Sequence, residues 1–203
     1  MNNFVKLIRT KFRLRVSLLV YLTVTSMFVI GQVPTNQDVF FAKEYSKEIA
    51  LYKAKEFAIK NILGETYDPV KFEIDPLAAA YSGELTCLTY FCKKKNLEGL
   101  IFGFYNDTWK NSGVVYSAYA FKNITRPSAQ ILLSKIDSLI SESTEYLGFN
   151  TDYNNLYFHY DDLIFLLYKN TSGSTKIRVF WNNFDSEWDW TAFKRTQKRF
   201  FKK

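Results

Sequence analysis

Histidine occurs once in this 203-residue chain, at position 159, and cysteine twice, at 87 and 92. That inventory leaves no His-x-x-x-His or Cys-x-x-Cys spacing for a metal site. Phosphate loops, dinucleotide turns and nucleophile elbows are missing too, since Tyr81-Ser82-Gly83-Glu84 lacks the leading glycine of Gly-x-Ser-x-Gly. No cofactor is called for. With eight glycines, four prolines and no low-complexity run, the chain does not read as a linker or a stalk. The first 31 residues hold no acid, and no cysteine follows their apolar run, which argues against a lipid-anchored lipoprotein. Past that run, nothing in the sequence is long and apolar enough to span a bilayer.

What those first residues do contain is directional. Lys6, Arg9, Lys11, Arg13 and Arg15 precede an apolar run over 16–30, and Val29-Ile30-Gly31 then offers a cleavage site before Gln32. This is the order of a secretory signal. At 1.5 Å per residue the run reaches about 22 Å, short of the ~30 Å hydrocarbon core. Residues 1–31 are therefore read as a signal peptide, with an uncleaved N-terminal membrane anchor as the alternative, and 32–203 as a single α+β domain. The expected location is periplasmic or secreted. Removing the five leader bases from the 27 Lys+Arg leaves 22 against 20 Asp+Glu. The positive balance belongs to targeting, which argues against nucleic acid as a partner.

The mature segment is rich in rings. Of the chain's 19 Phe, 14 Tyr and 4 Trp, all but Phe4, Phe12, Phe28 and Tyr21 fall in it and supply a core readily, each burying about 150–250 Å². Cys87 and Cys92, if in one straight strand, stand roughly 16 Å apart on opposite faces. A disulfide needs Cα atoms within about 7 Å, so a Cys87–Cys92 bridge is disfavoured and two small buried thiols are expected.

Periodicity predicts a first helix over 36–63, opened by a Thr35/Asp38 capping box and stopped by Gly64, with Phe41, Tyr45, Ile49, Tyr52, Ile59 and Leu63 as its stripe. Strands are predicted at 70–74, 84–92, 100–105 and 114–121. A second helix over 127–145 carries Leu132, Leu133, Ile136, Leu139 and Ile140 on one side. Strands at 156–160, 163–168 and 176–181 follow, then a helix over 187–201 behind a Ser186/Asp189 capping box. The expected fold is α+β: one antiparallel sheet of about five to six strands with three helices, in the order α-βββ-α-ββ(β)-α. That order resembles the secretion-chaperone-like α+β fold.

Three clusters carry candidate chemistry. His159, in Phe158-His159-Tyr160-Asp161-Asp162, would pair with Asp161 or Asp162 as the general acid and base of an exported hydrolase. The competing explanation is an aromatic strand end followed by a turn, and the thin inventory favours it. Lys194, Arg195, Lys198 and Arg199 give the last helix a basic side, suited to an anionic surface such as lipid or to plain solvation. Trp109, Trp188 and Trp190 fall in or near loops, where they would anchor a protein or a glycan, or else cover the core. The expected function is an exported, non-catalytic envelope or periplasmic binding module. Its partner is an unknown envelope protein, glycan or lipid, with membrane contact only through the N-terminal segment or the basic helix.

Overall fold

A computed structural model describes residues 39–41, 45–78, 84–109, 115–151 and 153–202. The leader and the Thr35/Asp38 box lie outside these residues, as does residue 36, where the first helix was expected to start.

The chain is mixed α+β, with its strands in two antiparallel sheets rather than one. Sheet A has the order β1-β5-β4-β3-β2, formed by β1 (Val39–Phe41), β2 (Glu73–Ala78), β3 (Thr86–Cys92), β4 (Leu97–Trp109) and β5 (Val115–Thr125). Sheet B has the order β6-β7-β8-β9, formed by β6 (Asn155–Tyr160), β7 (Leu163–Lys169), β8 (Thr175–Trp181) and β9 (Phe184–Asp189). The helices are α1 (Lys47–Phe57, continued by a π-helical turn Ala58–Leu63), α2 (Arg126–Glu142), α3 (Thr144–Phe149) and α4 (Trp190–Lys202). The strand count therefore exceeds the five to six expected, and the single-sheet order on which the secretion-chaperone resemblance rested does not hold.

Strand alternation divides the core in two. Leu88, Tyr90, Ile101, Tyr105, Tyr119 and Phe121 project from one face of sheet A against Ala50, Ala54, Phe57 and Ala58 of α1. From the opposite face Cys87, Leu100, Phe102, Phe104 and Ala120 meet α2, α4 and the inner side of sheet B. Sheet B contributes Phe165, Leu167, Ile177, Val179 and Trp188 to that second cluster. Successive strand side chains point to opposite faces, so one aromatic-rich sheet serves both layers.

Three boundaries moved for identifiable reasons. Helix α1 starts at Ser46, whose hydroxyl accepts from the Ile49 amide and whose backbone is held by the Tyr119 hydroxyl. Its buried side is the alanines, while Ile49, Tyr52 and Ile59 of the expected stripe are exposed. Small residues let the helix lie close over the sheet's large rings. Strand β2 runs through Pro76, tolerated because β2 is an edge strand with an irregular register at that point. The third change is β9, expected as loop and helix start. Asn182 at φ 52° turns the chain back after β8, and Phe184, Ser186 and Trp188 then alternate inward. Ser186 is thus a core strand residue, and Asp189 caps α4 by accepting from the Thr191 amide at 2.8 Å.

Candidate functional site

The three-residue cluster around His159 is a structural joint. His159 stands on the exposed side of β6, edge-on to Tyr157 at 6.2 Å between ring centres. Asp161 and Asp162 form the turn into β7 and point to a different partner: Lys122 of β5, whose ammonium lies 3.1 Å from Asp161 and 2.7 Å from Asp162. The indole N–H of Trp181 donates to the second oxygen of Asp162 at 2.8 Å. Burial alone would raise the Asp162 carboxyl, but the hydrogen bonds from Lys122 and Trp181 outweigh it and hold the group below its ordinary range. Burial likewise opposes the charge on Lys122, and its two carboxylate partners prevail, raising its pKa. A carboxyl held ionised, as that of Asp162 is, makes a poor proton donor near neutral pH. Through Lys122 the two carboxylates tie the β6–β7 turn of sheet B to sheet A.

The basic side of α4 splits into two roles. Lys194 is tied to Asp137 of α2 at 2.6 Å and lies 5.0 Å over the Trp190 ring. Arg199 donates to the Leu77 carbonyl at 2.9 Å and sits 3.7 Å from Asp75. Arg195 and Lys198 are exposed and, among the described residues, have neither an ion pair nor a hydrogen bond. The tryptophans divide too. Trp188 is fully buried, edge-on to Phe102 and Phe193 at 5.2 and 5.1 Å, so it is a core residue and not a binding anchor. Trp190 is half-buried and stacks on Phe193. Trp109 ends β4, and its side chain lies outside the described residues.

Two surfaces that sequence spacing does not reveal are assembled by the fold. One is a groove of about 410 Å³ between the first turns of α1, the β2–β3 pair and α4. Its floor is Ala50, Leu51, Leu77 and Leu88, and Arg195 and Arg199 form one wall. Tyr45 closes another side. Burial pushes the Tyr45 phenol up, against a hydrogen bond with Thr86, and the nearby Glu84 charge pushes the same way.

The other surface is the outer edge of β6, on which no strand pairs among the described residues. Edge strands are usually blunted by proline, lysine, a bulge or a cover. Asn-Leu-Tyr-Phe-His-Tyr contains neither proline nor lysine, and its pairing with β7 is regular throughout. Exposed rings gather in the same stretch of chain: Tyr146 at 52 %, Phe149 at 86 %, Tyr153 at 79 % and Tyr157 at 70 %. Tyr146 is held to the start of β6 by the Asn154 amide, which donates to its carbonyl at 2.7 Å. The opposite edge of sheet B is occupied, because the Leu85 amide donates to the Glu187 carbonyl at 2.8 Å.

Cys87 and Cys92 are both free and buried. Burial pushes the Cys87 thiol up, which disfavours the nucleophilic thiolate. Among the described residues no group of three His, Cys, Asp or Glu side chains is placed to hold a metal ion, and no helix is long and apolar enough to cross a membrane. Compared with protein-family models, with curated proteins and with solved structures, the chain finds no match in any of the three.

Proposed function

We propose that the chain is an exported, non-catalytic interaction module that receives an extended segment of an envelope protein along the free edge of β6. The observation that carries this reading is an edge left unpaired among the described residues, with four exposed rings in the same stretch of chain. A strand is the natural occupant of a row of unpaired backbone amides and carbonyls, and aromatic rims give such contacts their side-chain energy. A glycan or lipid would use the rings but leave the backbone groups to water. Export is supported by the leader sequence alone. The test is a photo-crosslinking residue in place of Tyr157 in the native cell, with Ser134 on the exposed side of α2 as the control position. Position 157 should yield a discrete adduct with a protein, and the Asn155 and His159 positions on the same exposed side should share it. Adducts no different from those at position 134 would end this reading. A panel of ester, peptide, glycoside and phosphate substrates should give a flat response.

A further inference from the structure

Charge is divided unevenly along this chain. All 20 acids precede residue 190, and the last 14 residues hold six bases: Lys194, Arg195, Lys198, Arg199, Lys202 and Lys203. Taking those six from the 22 bases beyond the leader leaves 16 against 20 acids over 32–189. The body of the domain is net −4 and its C-terminal stretch is +6. Helix α4 turns this division into a surface. Phe193, Thr196 and Phe200 face the core. On the opposite side Arg195, Lys198 and Lys202 follow one another at spacings of three and four, all exposed. Lys194 is tied to Asp137, and Arg199 to Asp75 and the Leu77 carbonyl. Arg195, Lys198 and Lys202 have neither an ion pair nor a hydrogen bond among the described residues. Arg195 shares the groove with Glu48, whereas Lys198 and Lys202 do not line it. The helix dipole accounts for bases in the last turn, Arg199 and Lys202, and not for Arg195 and Lys198 further in.

We propose that the outer side of α4 docks on an anionic lipid surface, with Arg195, Lys198 and Lys202 at the headgroup phosphates. Three observations select that occupant. The row from Arg195 to Lys202 extends over about 10 Å of helix; it suits phosphates spread across a plane, whereas a single small anion needs bases that converge. Phe201, next to Lys202, is 44 % exposed and supplies an apolar contact at the edge of the row. The leader sequence, read as an export signal or as an anchor, takes the chain to a membrane in either case, which puts lipid rather than nucleic acid within reach. The apolar side of α4 is committed to the core, so the contact is peripheral and electrostatic, without insertion of the helix. The acidic remainder of the domain is repelled by the same surface, so the charge division orients the molecule as well as attracting it. Helix α4 forms no part of the β6 edge, so this surface stands or falls separately from the docking strand.

The experiment places the full chain with bicelles whose headgroups carry chelated gadolinium and follows amide line broadening. Bicelles of phosphatidylglycerol with phosphatidylcholine should broaden the amides of Arg195, Lys198 and Lys202. Phosphatidylcholine alone should not, and the effect should disappear between about 50 and 500 mM salt. This readout reports contact at α4 itself, whether or not residues 1–31 are retained. Each base at an anionic surface contributes about fivefold in affinity, so Lys198→Gln with Lys202→Gln should raise the phosphatidylglycerol needed for half-maximal broadening roughly 25-fold. That variant should melt close to the parent, because neither lysine holds a partner in place. Lys93→Gln with Lys94→Gln, in the turn between β3 and β4, removes the same charge elsewhere and should change the requirement less than about twofold. Equal effects of the two lysine pairs overturn the proposal, as does broadening that is absent from α4 or equal in phosphatidylcholine alone. Tighter binding to duplex DNA or to polyglutamate than to phosphatidylglycerol at the same salt assigns the surface to a different polyanion and overturns it too.

Discussion

Replacing Lys122 by methionine tests whether the Asp161–Asp162 turn is a joint or a latent active site. The substitution keeps most of the aliphatic stem and removes the ammonium. The side chain of Lys122 is 20 % exposed, that of Asp162 47 % and that of Asp161 70 %. Exposed ion pairs contribute about 0.2–1 kcal/mol, and charge-assisted hydrogen bonds with better-buried partners about 1.5–3 kcal/mol. With solvent screening both carboxylates, Lys122→Met should cost about 1–2 kcal/mol in total. That is a drop in melting temperature of roughly 2–8 °C for a chain of this size. The pH dependence gives the sharper test. The depressed Asp162 carboxyl contributes stability that is present above its unfolded value near 3.9 and is lost as pH falls through its lower folded value. The raised Lys122 contributes stability that is complete below its unfolded value near 10.4 and is lost as pH rises through its higher folded value. The difference between parent and Lys122→Met should therefore be constant between about pH 5 and pH 9 and shrink toward pH 2. Urea denaturation at pH 2.5 and pH 7, with unchanged slopes, measures it. A difference of zero at pH 7, or one that persists undiminished at pH 2.5, would refute the reasoning.

Three further substitutions probe the frame around the two surfaces. Tyr119→Phe removes a hydroxyl that accepts from the Ser46 amide at 2.6 Å and donates to the Ser46 carbonyl at 3.1 Å; it should cost about 1–2 kcal/mol and speed amide exchange in α1 first. In Gly99→Ala the new Cβ would lie 2.6 Å from the Tyr90 hydroxyl and also press on the Ile124 carbonyl. It should destabilise by about 1–3 kcal/mol, and Tyr90→Phe should restore only part, because the carbonyl remains. Ser186 is fully buried and its hydroxyl has no hydrogen-bond partner among the described residues, so Ser186→Ala should be neutral or stabilising by up to about 1 kcal/mol in urea denaturation; a clear loss would refute this.

How much could be read beforehand depended on whether one period dominated a segment. Helix α2 was legible because Leu132, Leu133, Ile136 and Ile140 repeat at helical spacing and all are buried. Strands β7 and β8 were legible because they alternate cleanly between buried and half-buried positions. Helix α1 misled because, Phe57 apart, its buried residues are alanines, which carry little hydrophobic signal, while the larger Ile49, Tyr52 and Ile59 face outward. Strand β9 was hidden by overlap: Trp188, on the strand's period of two, runs directly into Trp190 and Phe193 on a helical period. Without β9 the second sheet has no fourth strand, so a single sheet was the natural and mistaken expectation. The groove had no chance of being read, since Leu51, Leu77, Leu88 and Arg195 come from four separate elements.

The position of β9 also decides where the molecule is open to pairing. Asn106 of β4 donates to both the carbonyl and the carboxylate of Asp185, and Arg178 holds that carboxylate from the neighbouring strand. Together with the Leu85–Glu187 backbone bond, these contacts close the β9 edge of sheet B against sheet A. Sheet A guards one of its own edges with a proline and a register irregularity in β2. Among the described residues these edges are blunted and Asn155–Tyr160 is left without a strand on its outer side. The exposed rings of Tyr153 and Tyr157 are there, and Asp161 and Asp162 at the end of the strand are turned to Lys122. An edge with exposed rings beside it, no lysine in its own sequence and a turn tied to sheet A is what supports the proposal that a partner strand docks there. His159 itself stands on the exposed side of β6, and the two carboxylates that follow it in the sequence are engaged with Lys122.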